Sequence, residues 1–428
     1  MKNVLFLFII ILLCLAFSCK NNVGTSPTIP NLPPSIPPVV QAQETIIGDP
    51  LPAPYATKSA NHGSSVIGWP TGKSPIAPNG FTVTRYAENL KRPRWIYVGP
   101  NNDVFISEAS TDGQSGNDVL LFRDTNQDGK PDENYVFLSK LNKPFGMLIL
   151  NGFFYMATTD GVWKYPYSTG QNTLDAGSGV KILDLPAGGY NNHWTRNLLA
   201  SQDGSKIYVT VGSGSNAGEN GMNNEIGRAC ILQINPDGTG KTIYASGLRN
   251  PNGMDWAPGT NQLWTAVNER DGLGDDLVPD YITHVKEGGF YGWPYSYYGK
   301  NIDNRVNPQD TALVSKAIVP NVQMGSHTAC LGLAFYTKTK FPIAYQGGAF
   351  IGQHGSWNRS VLAGYKVSYI PFLNGQPISK PQDFLTGFIA DLAASKVYGR
   401  PVDVAVLPDG SLLVSDDGGN IIWRVAAN

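Results

Sequence analysis

Short apolar runs alternate with polar, glycine-marked turns along most of this chain. NNDVFISE, ending at Glu108, is the first clear case. NGFFYMATTDGVWKY (151–165) follows as a hairpin-like pair with Asp160-Gly161 at its turn. DGSKIYVTVGS ends at Ser213 and NQLWTAVNE at Glu269; GGAFIGQH and DGSLLVSDD repeat the form at His354 and Asp416-Asp417. Each is a polar turn, a short run of β-formers and a polar end. About six such recurrences predict an all-β fold, a propeller of four-stranded blades. A pair of packed sheets with coincidental spacing is the alternative. The longer interval before the fifth run implies an insertion. If each run is the innermost strand of a blade, the polar ends Glu108, Asp160, Ser213, Glu269, His354 and Asp416-Asp417 gather at one mouth of a central channel.

Ahead of these runs, Lys2 precedes an unbroken apolar stretch, Val4–Phe17, followed by Ser18-Cys19-Lys20. The stretch is short for a membrane span and suits a signal-peptide core. The expectation is export, cleavage before Cys19 and a lipid anchor on Cys19, giving a membrane-anchored lipoprotein facing the periplasm or cell surface. An ordinary cleaved signal with an incidental cysteine is the alternative. Residues 1–19 are then the signal, 20–75 a Pro/Ser/Thr-rich tether outside the body, and 76–428 the propeller.

Composition agrees with a β body: 48 Gly, 31 Pro, 20 Tyr and 9 Trp in 428 residues. The net charge of -1 gives no global electrostatic case for nucleic acid as a partner. Cys14 and Cys19 belong to the targeting segment, which leaves Cys230 and Cys330 in the body. A disulfide and two buried thiols are both compatible with an exported chain.

Polar chemistry is concentrated in the stretch Ala245–Gly299, where Arg249, Asn250, Glu269, Arg270, Asp271, Asp275, Asp276 and Asp280 flank one apolar run. A rigid strand presenting two polar loops at a site accounts for this pattern. Upstream, GGYNNHWTRNL places His193 in a Gly/Asn-rich loop, a candidate general base because imidazole titrates near neutrality. A purely structural loop histidine is the alternative. Arg249 beside Asn250 offers a guanidinium for carboxylate or quinone oxygens. His354-Gly355-Ser356-Trp357-Asn358-Arg359 is a second dense polar string, and Arg400 enters the last run. Arg249, Arg359 and Arg400 read as equivalent positions on three blades. Asp124, Asn126 and Asp128 alternate ahead of Gly129 like the start of a calcium loop, with Asp132 or Glu133 to complete the shell. Tyr135 at the twelfth position excludes an EF-hand, and a plain acidic hairpin loop is the alternative. The sequence has no Cys-x-x-Cys-His run for a covalent haem, no nucleotide-binding glycine motif and no G-x-S-x-G elbow.

The strings Gly-Leu-Arg-Asn-Pro, Asn-Glu-Arg-Asp, Tyr-Gly-Trp-Pro, His-Gly-Ser-Trp-Asn-Arg and Gly-Arg-Pro-Val resemble the sorbosone dehydrogenase family, relatives of the soluble quinoprotein glucose dehydrogenases. The resemblance runs from about Gly80 to Val425. It implies a six-bladed β-propeller that binds pyrroloquinoline quinone (PQQ) and calcium over the channel mouth and oxidises sugars or sugar-derived aldehydes. His193 then falls where the family has its base. Arg249 and Asn250 fall where cofactor carbonyls are held, and Arg359 and Arg400, with His354 beside them, near the cofactor carboxylates. The loop after Glu269 matches one whose backbone carbonyls hold calcium. It is longer here and has Tyr281 where the relatives have an acid, making Asp271, Asp275, Asp276 and Asp280 the candidate ligands. The implied partners are a sugar or sugar-aldehyde substrate and a separate electron acceptor, a cytochrome or quinone. A metal-dependent lactonase and a non-catalytic carbohydrate-binding propeller are the competing readings of such a scaffold.

Overall fold

The structure, a computed structural model, describes residues 44–428. The expected signal segment, Cys19 and the first part of the expected tether lie outside the described residues. Among the described residues, six antiparallel meanders of four strands make up most of the body, with three smaller sheets of two or three strands beside them. Sheet I runs Pro93–Val98, Val104–Glu108, Val119–Arg123, Glu133–Leu138. Sheet II runs Met147–Leu150, Phe153–Thr158, Gly161–Pro166, Val180–Asp184, and sheet III Leu198–Ala200, Ile207–Val211, Cys230–Ile234, Thr242–Ser246. Sheet IV is Pro251–Trp256, Leu263–Val267, Pro279–His284, Val322–Ser326; sheet V is Cys330–Phe335, Ala349–Gln353, Lys366–Ile370, Gln382–Leu385. Sheet VI takes Pro401–Val406, Leu412–Asp416 and Ile421–Ala427 from the end of the chain and Phe81–Ala87 from its beginning. That last pairing, from Phe81↔Ala427 to Ala87↔Ile422, joins the two ends of the body.

The first strand of each sheet lies against the first strand of the next, and Pro401–Val406 of sheet VI returns to Pro93–Val98 of sheet I. One apolar cluster fills each gap between neighbouring sheets. Phe105, Phe137 and Phe154 lie between sheets I and II; Trp264, Ile282, Phe335 and Ile351 lie between IV and V. Because a sheet packs on both faces, a middle strand is apolar on both. Val104–Glu108, Ile207–Val211, Leu263–Val267, Ala349–Gln353 and Leu412–Asp416 are accordingly buried at every residue.

This corrects one expectation. The recurring apolar runs are the second strands, not the innermost ones. The innermost strands begin with a less apolar signature: Pro93-Arg94-Trp95-Ile96, Pro144-Phe145-Gly146-Met147, Thr195-Arg196-Asn197-Leu198, Pro251-Asn252-Gly253-Met254, Cys330-Leu331-Gly332-Leu333 and Pro401-Val402-Asp403-Val404. Four of these segments carry the same register irregularity, between Pro93/Ile96, Pro251/Met254, Cys330/Leu333 and Pro401/Val404. Their third residue is where adjacent sheets come closest. A Cβ at Gly146 would stand 2.6 Å from the Cα of Asn197, and one at Gly332 2.6 Å from the Cα of Asp403. The hairpin pairing Pro93↔Glu108, Pro251↔Val267, Cys330↔Gln353 and Pro401↔Asp416 still brings the second-strand ends to the rim where the first strands start. The gathering of polar ends therefore holds for a different geometric reason.

The expected insertion is present between the last two strands of sheet IV. Its Gly289–Phe290 adds a parallel fifth strand to sheet III, and it carries the short helix Thr311–Val314. The expected tether ends earlier than residue 75. Residues 44–75 belong to the compact body: Ser65–Val66 pairs with Lys396–Val397, and Trp69 stacks on Tyr398 at 5.0 Å. Cys230 and Cys330 are buried free thiols.

Candidate functional site

His193 stands just before the first strand of sheet III and is buried. Its Nδ1 lies 2.9 Å from both the carbonyl oxygen and Oγ of Ser213. Ser213 Oγ donates its own hydrogen to the Ser215 carbonyl at 2.6 Å. Nδ1 therefore carries the proton, and the Nε2 lone pair is available. Among the described residues the hydrogen-bond partner of Nε2 is the Asn192 amide nitrogen, a donor at a long 3.4 Å. Burial, then the charges of Arg249, Arg196 and Arg228, hold the imidazole well below its usual range, so it is neutral at pH 7. Arg196 fixes the loop by donating to the His193 carbonyl at 2.8 Å. Gly212 leaves the space: a Cβ there would meet Asn250 Oδ1 at 2.4 Å and His193 Cβ at 2.5 Å. Asn250 is buried beside it, and its Oδ1 has no hydrogen-bond partner among the described residues.

Arg249 is buried, with its donors engaged within the protein. Nε donates to Asn216 O at 3.1 Å, Nη1 to Glu269 O at 2.6 Å, and Nη2 to Asn216 Oδ1 at 2.9 Å and Asp271 Oδ2 at 3.2 Å. Asn216 O also accepts from Trp293 Nε1 at 2.9 Å, which gives the Tyr-Gly-Trp-Pro string a role in buttressing Arg249.

A second cluster stands at the rim of sheets V, VI and I. His354 Nε2 lies 3.0 Å from both oxygens of Asp417. Asp417 also accepts from Arg94 Nη1, and from Arg400 Nε at 3.1 Å. Burial and the Arg400 and Arg94 charges push His354 down to about 4. Burial acts to raise the Asp417 carboxyl, but His354, Arg400 and Arg94 outweigh it and hold it well below the usual range. Arg94 stacks over Trp194 at 5.5 Å, which joins this cluster to the His193 loop. Arg196 stands close to His193 in the same sequence string, whereas sequence reasoning passed over Arg94.

Arg359 is not equivalent to Arg249 and Arg400. It follows a second strand rather than preceding a first one, because His354–Arg359 is the loop leaving Ala349–Gln353. Its Nη1 donates to Asp275 O at 2.6 Å and Nη2 pairs with Asp276 at 2.8 Å, beside a cavity of about 470 Å³ also lined by Thr328 and Tyr365.

The acids proposed as calcium ligands do not converge. Asp271 bridges Arg249 and His327, the latter at 3.1 Å. Asp275 accepts from Ser360, and Asp276 is on Arg359. Asp280 accepts from Glu269 N at 2.7 Å and Cys330 N at 3.2 Å, with its carboxyl raised to about 6 by burial. Among the described residues no three His, Cys, Asp or Glu side chains form a metal group. Asp124, Asn126 and Asp128 lie in the turn between the last two strands of sheet I, at the end of that sheet away from Pro93 and Glu108. Asp124 and Asn126 there accept from Asp128 N at 3.2 and 2.9 Å. His327, also overlooked, has both ring nitrogens on acceptors, Asp271 Oδ1 and Gly274 O.

The likenesses to known proteins follow this geometry. Residues 75–286 and 296–428 match the TrAA12-like family, and the break falls inside the insertion of sheet IV. An uncharacterised protein of Borreliella burgdorferi is 30% identical over 360 residues, 81% of this chain and 89% of the relative. The aldose sugar dehydrogenase YliI of Escherichia coli is 33% identical over 186 residues, 43% of each chain. Among solved structures, the calcium structure of the Trichoderma reesei family AA12 carbohydrate-active enzyme superposes with a TM-score of 0.70 at 20% identity, covering 83% of this chain and 97% of that one. The holo PQQ domain of pyranose dehydrogenase from Coprinopsis cinerea gives 0.68 at 19% identity, covering 85% and 100%. The two structures share the fold. The family match extends over both halves of the rim, from the His193 loop to Asp417, and by it this chain belongs to the TrAA12-like family.

Proposed function

We propose that this chain is a quinone-dependent sugar oxidoreductase whose six sheets are the blades of a closed propeller. Its substrate is a sugar hydroxyl or a sugar-derived aldehyde, as in sorbosone oxidation. The observation that carries the reading is the state of His193: neutral, with Nδ1–H directed to Ser213 and the Nε2 lone pair available. A second observation is the charge around it. Arg94, Arg196, Arg249 and Arg400 gather there, with Asp271 and Asp417 the carboxylates paired to them. An anionic cofactor such as PQQ suits that cluster of guanidinium groups, and the unpartnered Asn250 Oδ1 beside His193 is an acceptor left for a donor such as a substrate hydroxyl.

PQQ, when bound, supplies an electrophilic carbon that accepts hydride. The residues of this chain do the rest. His193 Nε2 takes the substrate hydroxyl proton, while the Ser213 carbonyl, fixed on Nδ1–H, holds the ring and stabilises the imidazolium. Arg400 and Arg94, oriented by Asp417, and Arg249, oriented by Asp271, would supply positive charge to hold an anionic cofactor. The four acids of the 271–280 loop do not fit a carboxylate-held calcium, so no step is routed through that ion. Without a haem motif in the chain, electrons leave to a separate acceptor.

A dye-linked assay of purified apo-protein over a panel of pyranoses and sugar aldehydes, with and without PQQ, tests the reading. Turnover that depends on the quinone supports it; quinone-independent lactone hydrolysis refutes it. Anchoring through Cys19 at an exported location is part of the same proposal. Cys19→Ser then moves the protein from the membrane to the soluble fraction, and unchanged fractionation rejects the anchor.

A further inference from the structure

The segment from Tyr55 to Trp69, expected to be tether, touches each of the three loops that carry the rim's charges. On the loop after Arg270, Tyr55 N donates to Leu273 O at 2.7 Å. Gly274 N donates to Ser59 Oγ at 2.8 Å, and Asp275 N to Thr57 Oγ1 at 2.9 Å. The fit is close enough to exclude a side chain. Gly274 has φ +120°, and a Cβ on it would stand 2.8 Å from the Thr57 carbonyl oxygen. On the His354–Arg359 loop, Asn358 Nδ2 donates to Ala60 O at 2.8 Å, while its Oδ1 accepts from Gly272 N at 2.9 Å. His62 N donates to Trp357 O at 2.7 Å. At the third loop, Trp69 Nε1 donates to Asp416 Oδ2 at 2.7 Å, and Asp416 Oδ1 accepts from Arg400 N at 2.7 Å.

From these contacts we infer that residues 55–69 are a positioning strap for the cofactor site, with Thr57 and Ser59 its principal positioning residues. The chain of contact is short. Thr57 and Ser59 fix the Gly274 and Asp275 amides; the same loop sets Asp271; Asp271 orients Arg249 Nη2 and His327. Hydroxyls at 57 and 59 are the groups a backbone N–H needs where no strand partner is present. Nothing in this arrangement serves a flexible tether, which keeps its backbone in water. The inference rests on the quinone reading, since it is the cofactor whose binding the strap prepares.

The test uses the full chain and its Thr57→Val/Ser59→Ala and Thr57→Ser variants. PQQ affinity is read from tryptophan-fluorescence titration, and melting temperature is measured without cofactor. The inference expects the double variant to bind PQQ about tenfold more weakly, with a melting temperature lowered by a few degrees by the two unpaired amides. Thr57→Ser, which keeps the hydroxyl, should bind like the parent. Unchanged affinity in the double variant overturns the inference and leaves the functional reading intact. Affinity and melting temperature falling together, with Thr57→Ser no better, also overturns it, because the strap would then serve only stability. If the parent chain binds no PQQ, the functional reading falls, and the strap's role with it.

Discussion

The buried His193 and the half-buried His354 both stand at this rim, and their surroundings assign them opposite tasks. Among the described residues His193 has no carboxylate on either nitrogen: Nδ1 faces Ser213, and the hydrogen-bond partner of Nε2 is the Asn192 amide. His354 has Nε2 on Asp417, which Arg94 and Arg400 also hold. Burial keeps both rings neutral near pH 7. Neutrality alone therefore does not make a base. The Nε2 lone pair at His193, met only by a long contact from the Asn192 amide, can take a proton from a substrate, whereas at His354 the ring's outer nitrogen is committed to a carboxylate that organises two guanidinium groups. The first cluster is built for proton transfer and the second for holding anionic charge.

The largest effect that can break this contrast is on turnover. His193→Ala should lower kcat by roughly two to four orders of magnitude while leaving PQQ affinity near that of the parent. His354→Ala should leave kcat within about tenfold and act mainly on affinity, since it touches the cluster without being its charge. Steady-state kinetics beside a quinone titration reads both; equal kcat losses in the two variants would remove the contrast.

Next comes stability. Asp417→Ala leaves Arg94 buried without its carboxylate and should cost about 3–5 kcal/mol in denaturant unfolding. Ser213→Ala keeps the backbone carbonyl on His193 and should cost only about 1 kcal/mol. Comparable losses would mean that Asp417 is less central to its cluster than the geometry indicates.

Gly212→Ala tests position rather than chemistry. The added methyl would fall within 2.5 Å of His193 Cβ and of Asn250 Oδ1, so both must move. A displacement near 1 Å corresponds to about a hundredfold in kcat/KM. Full activity in this variant would mean that the His193 geometry is not set by the close approach at Gly212.

Much of this was visible in the sequence, for reasons that differ by residue. Val104–Glu108 and Leu412–Asp416 stand out because a strand buried on both faces carries apolar residues in succession until its polar end at the rim. The same burial made them look innermost. The true inner strands announce themselves only by Pro and small or polar residues such as Gly146, Asn197 and Asp403, which adjacent sheets need in order to approach. His193 and Arg249 were legible because dense polar strings surround them. Arg94 was not, because its carboxylate is Asp417, across the seam where the chain's ends meet. Arg359 was misplaced because the sequence does not say whether the strand a loop leaves is the first or the second of its sheet. The packed state of residues 44–75 was hidden by their composition, since hydroxyls that bond the 274–275 amides look the same as hydroxyls in a tether.

The smallest predicted effect is a shift along the pH axis. His193 is held well below the usual imidazole value of about 6.5. As pH falls through about 6.5, the unfolded chain's histidines take protons before His193 does in the fold. Its contribution to stability is thus present above about pH 6.5 and lost below it. Asp255, raised to about 6 by burial, works the other way, its contribution being lost as pH rises through about 6. Stability therefore mixes the two, and rate is the cleaner readout. The acid limb of kcat/KM should lie below pH 6.5 and the profile should be flat from there to about pH 8. A limb at or above pH 6.5 would contradict a buried, neutral base.

The measurement closest to the central claim is a single-turnover reduction of bound PQQ by a pyranose without oxygen, followed by absorbance, in parent, His193→Ala and His354→Ala proteins. The account predicts that all three bind the quinone, that parent and His354→Ala reduce it at rates within about tenfold, and that His193→Ala is slower by roughly two to four orders of magnitude. Equal reduction by the parent and His193→Ala would contradict it, as would a parent protein whose bound quinone no sugar reduces.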